Sequence, residues 1–259
     1  MLAAGCLLRA ADLKPETAAA YDHYLKVTEA ELATRSTPQN YLWLDAHQKE
    51  KTQVWLSQDM LVPRETLEHG EKIAIPDGAI QHWFGAVYLE TATYDRVRDM
   101  LLNFASYKDW FKPQVIDSRL NKRDGDTLNA FLRLSKKQVT QVVLNVDLAA
   151  SYTALDPTHG TIAVHSTRIG ETQHPSKQKT YQRELPAGET NGYLWRLDIY
   201  WRLASADVGV YVEMDMISLS RPTGVLHAGK YLNGFQTFPH ELADALFQGL
   251  EKGFPAPHK

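Results

Sequence analysis

The chain has 259 residues, of which 44% are hydrophobic and 23% charged, and its formal net charge is −3. A globular chain of this size can bury a substantial core, and its charge balance gives no reason to expect nucleic acid or an anionic membrane as a partner. No apolar run approaches the roughly 18 residues that span a bilayer. Cys6 is the only cysteine, which excludes an intrachain disulfide framework and a cysteine metal site.

Residues 1–11 are typical of the tail of a secretory signal, because a short apolar run is followed by small residues. They lack a basic leader and a full hydrophobic region, so an ordinary chain terminus is the alternative. The expectation from this pattern is a periplasmic or secreted protein, and otherwise a cytoplasmic one.

Residues 12–78 are predicted to form an N-terminal helical extension. Pro15 and the acidic Glu16 suit a first helical turn, and apolar residues at helical spacing predict a helix over 15–34. An apolar run, a polar helical segment and a short strand are expected next, over residues 41–45, 47–55 and 60–63.

From residue 79 the pattern changes to strands and short helices. A strand that is apolar on both faces is predicted first, then a helix and a short aromatic helical turn, over residues 79–90, 93–104 and 106–111. Four alternating segments predict strands over residues 114–120, 127–135, 140–155 and 161–171. Residues 175–191 are expected to form an exposed loop.

Residues 192–221 carry the strongest pattern, two long strands joined by a tight turn. Side chains of a strand alternate between its faces, so this hairpin has one apolar face and one charged, tyrosine-bearing face. The apolar face of the first strand consists of its odd positions: Tyr193, Trp195, Leu197, Ile199, Trp201 and Leu203. An amphipathic helix over residues 239–253 follows the hairpin.

This order of elements resembles the START-like (SRPBCC, helix-grip) superfamily, in an uncharacterised bacterial branch. The resemblance covers residues 79–254, and it rests on AIQHWFGAVYL, YKDWFKPQVIDSRL, HSTRIGE, GYLWRLDIYWR and VYVEMDMISLSR. It implies an α+β helix-grip fold, in which a curved antiparallel sheet wraps around a long C-terminal helix. It also implies a START-like ligand-binding domain at residues 79–259, with a cavity for a hydrophobic, lipid-like small molecule.

Two arrangements of the hairpin remain open. In the first, the odd face of the first strand lines the cavity, and the even face is solvated, with Arg196 and Arg202 in cross-strand ion pairs. In the second, the N-terminal extension covers the tryptophan face. The charged cluster, which consists of Arg196, Asp198, Tyr200, Tyr211 and Glu213, then lines the cavity, where buried charges need partners or a polar ligand. Arg168 joins the cluster if alternation continues from Ile162 to that position.

The candidate ligand-binding residues follow from the second arrangement and from the aromatic turn, which is a candidate gate of the cavity mouth. No catalytic residue is assigned. They are Arg168, Arg196, Asp198, Tyr200, Tyr211, Glu213, Tyr107 and Trp110. Ordinary core packing is the alternative for the two aromatic residues. The glycine-bearing loop at 222–238 is a candidate lid.

Several site types find no support in the pattern. The histidines have no metal-ligand spacing, and there is neither a nucleophile elbow nor a phosphate-binding loop. No cofactor and no metal are therefore expected. The functional hypotheses are a carrier of a hydrophobic ligand, a cyclase or hydrolase that uses the polar cluster, and an interaction protein whose extension docks a partner. The oligomeric state is left open.

Overall fold

The computed structural model describes residues 12–57, 59–137, 141–186, 188–222 and 237–256. The secretory-signal prediction at residues 1–11 lies outside this part of the chain, as does most of the candidate lid at 222–238.

Eight strands form one antiparallel sheet in the order β1-β4-β10-β9-β8-β7-β6-β5, and β2 and β3 pair separately. Their bounds are β1 Asp59–Arg64, β2 Leu67–Glu68, β3 Glu71–Lys72, β4 Ala79–Leu89, β5 Val115–Asp124, β6 Thr127–Lys137, β7 Gln141–Asp156, β8 His159–Glu171, β9 Arg196–Ser205 and β10 Val210–Ser220. The helices are α1 Pro15–Ala33, α2 Trp43–Ala46, α3 Gln48–Ser57, α4 Tyr94–Leu102, α5 Tyr107–Trp110 and α6 Phe238–Gly253.

The C-terminal helix α6 packs on one face of the sheet, called here the inner face. Its leucines are buried at helical spacing, and Phe247 lies directly on Gly85 of β4. A Cβ added at Gly85 would fall 2.0 Å from the Phe247 ring, so a glycine is what lets the helix approach this strand. The helix-grip α+β fold expected from the sequence is confirmed.

The N-terminal residues cover the opposite face, called here the outer face. Helix α1 packs on the outer side of β9 and β10, where Tyr21 and Leu25 contact a buried cluster that includes Ile217 and Leu219. Strand β1 pairs with β4 along its whole length, so the sheet itself extends into residues 12–78. The sheet is therefore covered on both faces, by α6 on one side and by the extension on the other.

The hairpin alternates as predicted from Arg196 onward but not before it. Leu197, Ile199, Trp201 and Leu203 belong to the inner core, and strand β9 begins at Arg196. Trp195 precedes the strand and packs with the cluster under the extension instead. Alternation applies only while the backbone is in a strand, which explains why the inner face includes Trp201 but not Trp195, although both were predicted to lie on it.

Candidate functional site

The inner face and α6 enclose a small apolar cavity. It offers about 20 Å³ to the centre of a water molecule, which is room for about one water. Its lining consists of Phe104, Tyr107, Val115, Leu132, Leu148, Val164, Leu197, Ile199, Trp201, Leu242 and Leu246.

Strand register produces the apolar wall of this cavity. Residues that lie opposite each other in an antiparallel pair share a face, and Val164 lies opposite Ile199. Strands β6, β7 and β8 contribute one apolar side chain each to the cavity, and β9 contributes the alternate residues Leu197, Ile199 and Trp201.

The short aromatic helix α5 forms one end of the wall. The Tyr107 hydroxyl donates to the Leu101 carbonyl oxygen at 2.6 Å, and its ring meets Phe111 edge-on at 4.6 Å. A Cβ at Gly249 of α6 would fall 2.3 Å from Phe111, so a second glycine brings α5 and α6 together. Tyr107 lines the cavity, whereas Trp110 is 37% exposed at the edge of this contact.

The lining limits what this cavity does chemically. Tyr107 is its one titratable residue in the described part of the chain, and burial raises the pKa of that phenol. A group that stays protonated and is already bonded to a backbone carbonyl offers neither a general base nor a nucleophile. The cavity therefore offers apolar contacts.

The charged residues predicted to line the cavity lie on the outer face instead, under the N-terminal extension. The structure corrects both arrangements considered above, since the tryptophan face points to α6 as in the first and the extension covers the other face as in the second. The five residues concerned are Arg196, Asp198, Tyr200, Tyr211 and Glu213. Their burial comes from α1 and α2, and the sheet separates them from the cavity.

Glu213 and Asp215 form the centre of this buried polar layer. The Glu213 carboxylate accepts hydrogen bonds from the backbone N–H groups of Trp43 and Leu44, both at 2.8 Å, at the start of α2. Arg35 lies within 3.3 Å of the same carboxylate. Burial nevertheless raises the pKa of Glu213 to about 7, because removal from water outweighs these partners.

Asp215, on the same face, behaves in the opposite way. Burial raises its pKa, but the hydrogen bond from His82 Nε2 at 2.9 Å and the charges of Arg64 and Arg35 outweigh burial and lower it. Tyr24 Oη lies 3.0 Å from His82 Nδ1 and accepts the Thr66 N–H, which assigns the His82 proton to Nε2.

Asp198 is the second buried carboxylate centre and contacts α1 directly. It accepts the Tyr21 hydroxyl at 2.6 Å and lies 2.8 Å from His165 Nδ1. This contact raises the pKa of His165, since the carboxylate stabilises the imidazolium ion. Tyr200 on the same strand donates its hydroxyl to Glu29 of α1 at 2.7 Å.

Arg196 and Tyr211 lie at the margins of this polar layer. Arg196 bonds Asp22 of α1 at 3.2 Å and its guanidinium lies over the Tyr21 ring. Tyr211 packs at 4.7 Å from the Tyr88 ring. The five predicted residues thus share the outer face, where each contacts a residue of the extension.

A β-bulge interrupts the alternation of β8 and places Arg168 on the outer face, where its partners lie outside this cluster. Ser166 lies opposite Leu148 whereas Arg168 lies opposite Asp147, so Thr167 is an extra residue. Arg168 therefore points to the outer side, where it bonds Asp147 and, through two nitrogens, Glu184. The same bulge turns Glu171 towards the inner face at the end of the strand, a placement that plain alternation does not predict.

Sequence reasoning missed a second, open depression next to this strand end. Here a cleft of about 790 Å³ is lined by residues 141–142 and 171–176 together with Lys137, Leu185, Glu189, Asn191 and Tyr193. The only sequence signal for it is the isolated glutamate that ends the HSTRIGE segment.

Two further observations concern metals and membranes. Within the described ranges, no group of three or more histidine, cysteine, aspartate or glutamate side chains is arranged to hold a metal ion. None of the helices in those ranges combines the length and apolarity that crossing a bilayer requires.

No family model matches the chain, and comparison with curated proteins gives no match either. Among solved structures, it is similar to a STAR-related lipid transfer protein from Xanthomonas axonopodis, with 17% identity, a TM-score of 0.46, and coverage of 74% of this chain and 98% of that one. It is also similar to the Zhui aromatase/cyclase from Streptomyces sp. R1128, with 11% identity, a TM-score of 0.47, and coverage of 68% and 93%.

A START superfamily protein from Mycobacterium smegmatis is a third similar structure, with 13% identity, a TM-score of 0.38, and coverage of 68% of this chain and 97% of that one. Because these identities and TM-scores are low, the similarities carry no argument about this chain. Its architecture is established by the strands and helices described above. These three solved structures are a lipid transfer protein, an aromatase/cyclase and a START superfamily protein, and the sequence pattern of this chain resembles the START-like superfamily.

Proposed function

We propose that the protein binds a hydrophobic, lipid-like small molecule between the inner face of its sheet and α6. The observation that carries this proposal is the cavity at that place, whose lining is apolar on every side. Ligand sites for apolar molecules are concave and lined mainly by hydrophobic and aromatic side chains.

Binding requires α6 to separate from the sheet. A cavity of about 20 Å³ holds about one water, whereas a lipid-like molecule needs several hundred Å³ by the usual size of ligand pockets. Leu242 and Leu246 of α6 complete the lining, so movement of this helix enlarges the cavity without breaking the sheet.

The alternative function, a cyclase or hydrolase that uses the Arg, Asp, Tyr and Glu cluster, finds no support in the geometry. Those side chains lie on the outer face and are bonded to the extension. In a carrier, these side chains need only to stabilise the fold.

Native mass spectrometry of the freshly purified protein tests the proposal first. A bound mass of a few hundred daltons, released as an organic molecule on denaturing extraction, is the expected result. Titration with a neutral apolar dye such as Nile red follows, and saturable binding at a single site is expected.

Val164→Phe is designed to fill the cavity and should weaken dye binding more than tenfold. Val54→Phe is the matched control, because Val54 is equally buried but belongs to the cluster under the extension. Both changes overpack a core and cost about 1–3 kcal/mol of stability. Equal dye affinity in the two variants, or no saturable binding by the wild-type protein, would contradict the proposal.

A further inference from the structure

Lys136 of β6 is a buried cation on the inner face of the sheet. It follows Leu132 and Leu134 at alternate positions of the strand, and both leucines belong to the inner core. Val142, which lies opposite Lys136 on β7, packs against the same core. Only 9% of the Lys136 side chain is exposed. A lysine is unusual at such a position, because lysines are almost never buried without a charged partner.

The partner of Lys136 lies at the start of α6. The Lys136 ammonium bonds the Glu241 carboxylate and donates to the Thr237 hydroxyl at 3.1 Å. The Thr237 hydroxyl donates to the same Glu241 oxygen at 2.8 Å. Glu241 is the more exposed member of the pair, with 34% of its side chain open to solvent. The ion pair therefore joins β6 to α6, and its carboxylate has water on one side.

The packing of α6 differs between β4 and β6. On the β4 side the contact is close, because the Phe247 ring lies directly on Gly85. On the β6 side the long Lys136 side chain reaches across to the helix. Leu132 of β6 and Leu242, the residue after Glu241, both line the cavity. Separation of the ion pair thus opens the cavity on the β6 side while the contact with β4 remains.

Stability alone does not account for this ion pair. Replacement of a buried pair by apolar side chains of similar volume is often neutral or stabilising, because removing two charges from water is costly. A buried ammonium nevertheless needs an anionic partner, so a group that displaces Glu241 must supply one. A ligand carboxylate meets this need, because it can accept the bonds from Lys136 and Thr237 that Glu241 accepts in the closed form.

We infer that Lys136 binds the carboxylate of an amphipathic ligand, which displaces Glu241 as the apolar chain of the ligand enters between β6 and α6. The inference rests on the proposed function and adds to it the head group of the ligand and the side on which it enters. Lys136 lies about 13 Å along the strand from Leu132, so the head group stays at the rim while the chain reaches the cavity. Glu241 is the latch of the closed form.

Competition against bound Nile red near neutral pH tests the inference with three probes of equal chain length: decanoate, 1-decanol and decylammonium. In the wild-type protein decanoate should displace the dye about tenfold better than 1-decanol, the effect of one charge-assisted hydrogen bond. Decylammonium should be the weakest of the three, because its charge repels that of Lys136.

Lys136→Met should abolish the advantage of decanoate and leave 1-decanol no weaker, whereas Lys136→Arg should retain the advantage. The matched control is Lys137→Met, which removes the same charge from the neighbouring, exposed position and should behave as the wild-type protein does.

Glu241→Gln tests the latch separately. It removes the competing carboxylate and keeps the shape of the side chain, so decanoate should bind at least tenfold more tightly than to the wild-type protein. The affinity for 1-decanol should rise less. A cooperative thermal transition in circular dichroism checks the folding of each variant, and the Glu241→Gln result decides the inference if Lys136→Met does not fold.

The outcomes separate this inference from the proposed function. If 1-decanol displaces the dye but decanoate has no advantage over it, or if Lys136→Met leaves that advantage intact, the head-group assignment is wrong while apolar binding stands. The same holds if Lys137→Met abolishes the advantage or if Glu241→Gln does not strengthen the binding of decanoate. If Nile red does not bind and none of the probes binds in direct calorimetry, the proposed function itself fails.

Discussion

Two buried carboxylates on one strand show how local partners decide the charge of a residue. Glu213 and Asp215 lie on the same side of β10, and both are almost fully buried. Asp215 has a histidine and two arginines around it and a lowered pKa, whereas burial dominates at Glu213 and raises its pKa to about 7. Glu213 is therefore the group through which the junction with α2 responds to pH near neutrality.

The direction of this response follows from proton linkage. The folded state of the protein binds the Glu213 proton more tightly than the unfolded state, whose pKa is near 4.5, so stability falls as pH rises through the folded pKa of about 7. Between pH 5 and pH 8 the contribution of this group should amount to about 2 kcal/mol of unfolding free energy. Glu213→Gln cannot ionise and should lose this part of the pH dependence in urea unfolding at the two pH values.

His165 complicates the measurement because it acts in the same direction. Its raised pKa gives stability that is lost as pH rises above that pKa, so the variant keeps this part of the slope. The quantity to compare is therefore the difference between Glu213→Gln and wild type at each pH. A difference that stays constant from pH 5 to pH 8 would show that Glu213 remains ionised in the folded protein.

At the scale of single residues, alternation in the sequence predicted the two faces of the hairpin from Arg196 to Leu203. It was wrong about Arg168, since a bulge of one residue reverses the facing of every later side chain in β8.

Arg202 joins two elements through bonds to backbone carbonyl groups of the extension. Its guanidinium donates to the carbonyl oxygens of Leu32, Arg35 and Tyr41. The last turn of a helix leaves such carbonyls without intrahelical partners. Arg202 therefore ends α1 and ties it to β9, and burial lowers the pKa of Arg202.

Arg202→Ala should lower the free energy of unfolding by about 3 kcal/mol, because several buried carbonyls would lose their donor. Arg196→Ala is the matched control on the same strand and face. Its partner Asp22 is mostly exposed, so the loss should be under about 1 kcal/mol. Chemical denaturation of both variants measures the two values, and equal losses would mean that Arg202 contributes no more than a surface pair.

At the scale of elements, most of the helices and strands could be predicted from periodicity and turn residues, including α1, α6 and the antiparallel strands. The position of the extension could not. A face that carries Arg196, Asp198, Arg202 and Glu213 has the composition of a solvated surface, and only the matching donors and acceptors of the extension allow it to be buried. Those partners are mainly backbone N–H and carbonyl groups and tyrosine hydroxyls, whose roles a hydropathy pattern does not show.

At the scale of the whole molecule, the sheet separates two different layers, α6 on the inner face and the extension on the outer face. Apolar contact holds α6 on the inner face, and satisfied polar contacts together with tyrosines and leucines hold the extension on the outer face. Apolar packing is nearly non-directional and permits α6 to shift, whereas a buried charge network is stable only in one geometry. The two layers thus suit two roles, adjustable binding on one face and rigid support of the sheet on the other.

This division of roles predicts that the extension is indispensable for folding. A chain that begins at residue 79 would expose Ile217, Leu219 and Tyr200, and it would leave Glu213 and Asp215 without Arg35 and Arg64. It would also turn β4 into an exposed edge strand, because β1 is lost. We expect such a chain to aggregate or to lack a cooperative thermal transition, as measured by circular dichroism and size-exclusion chromatography. A shortened chain that unfolds cooperatively and still binds Nile red would instead make the extension a separable module, free to dock a partner.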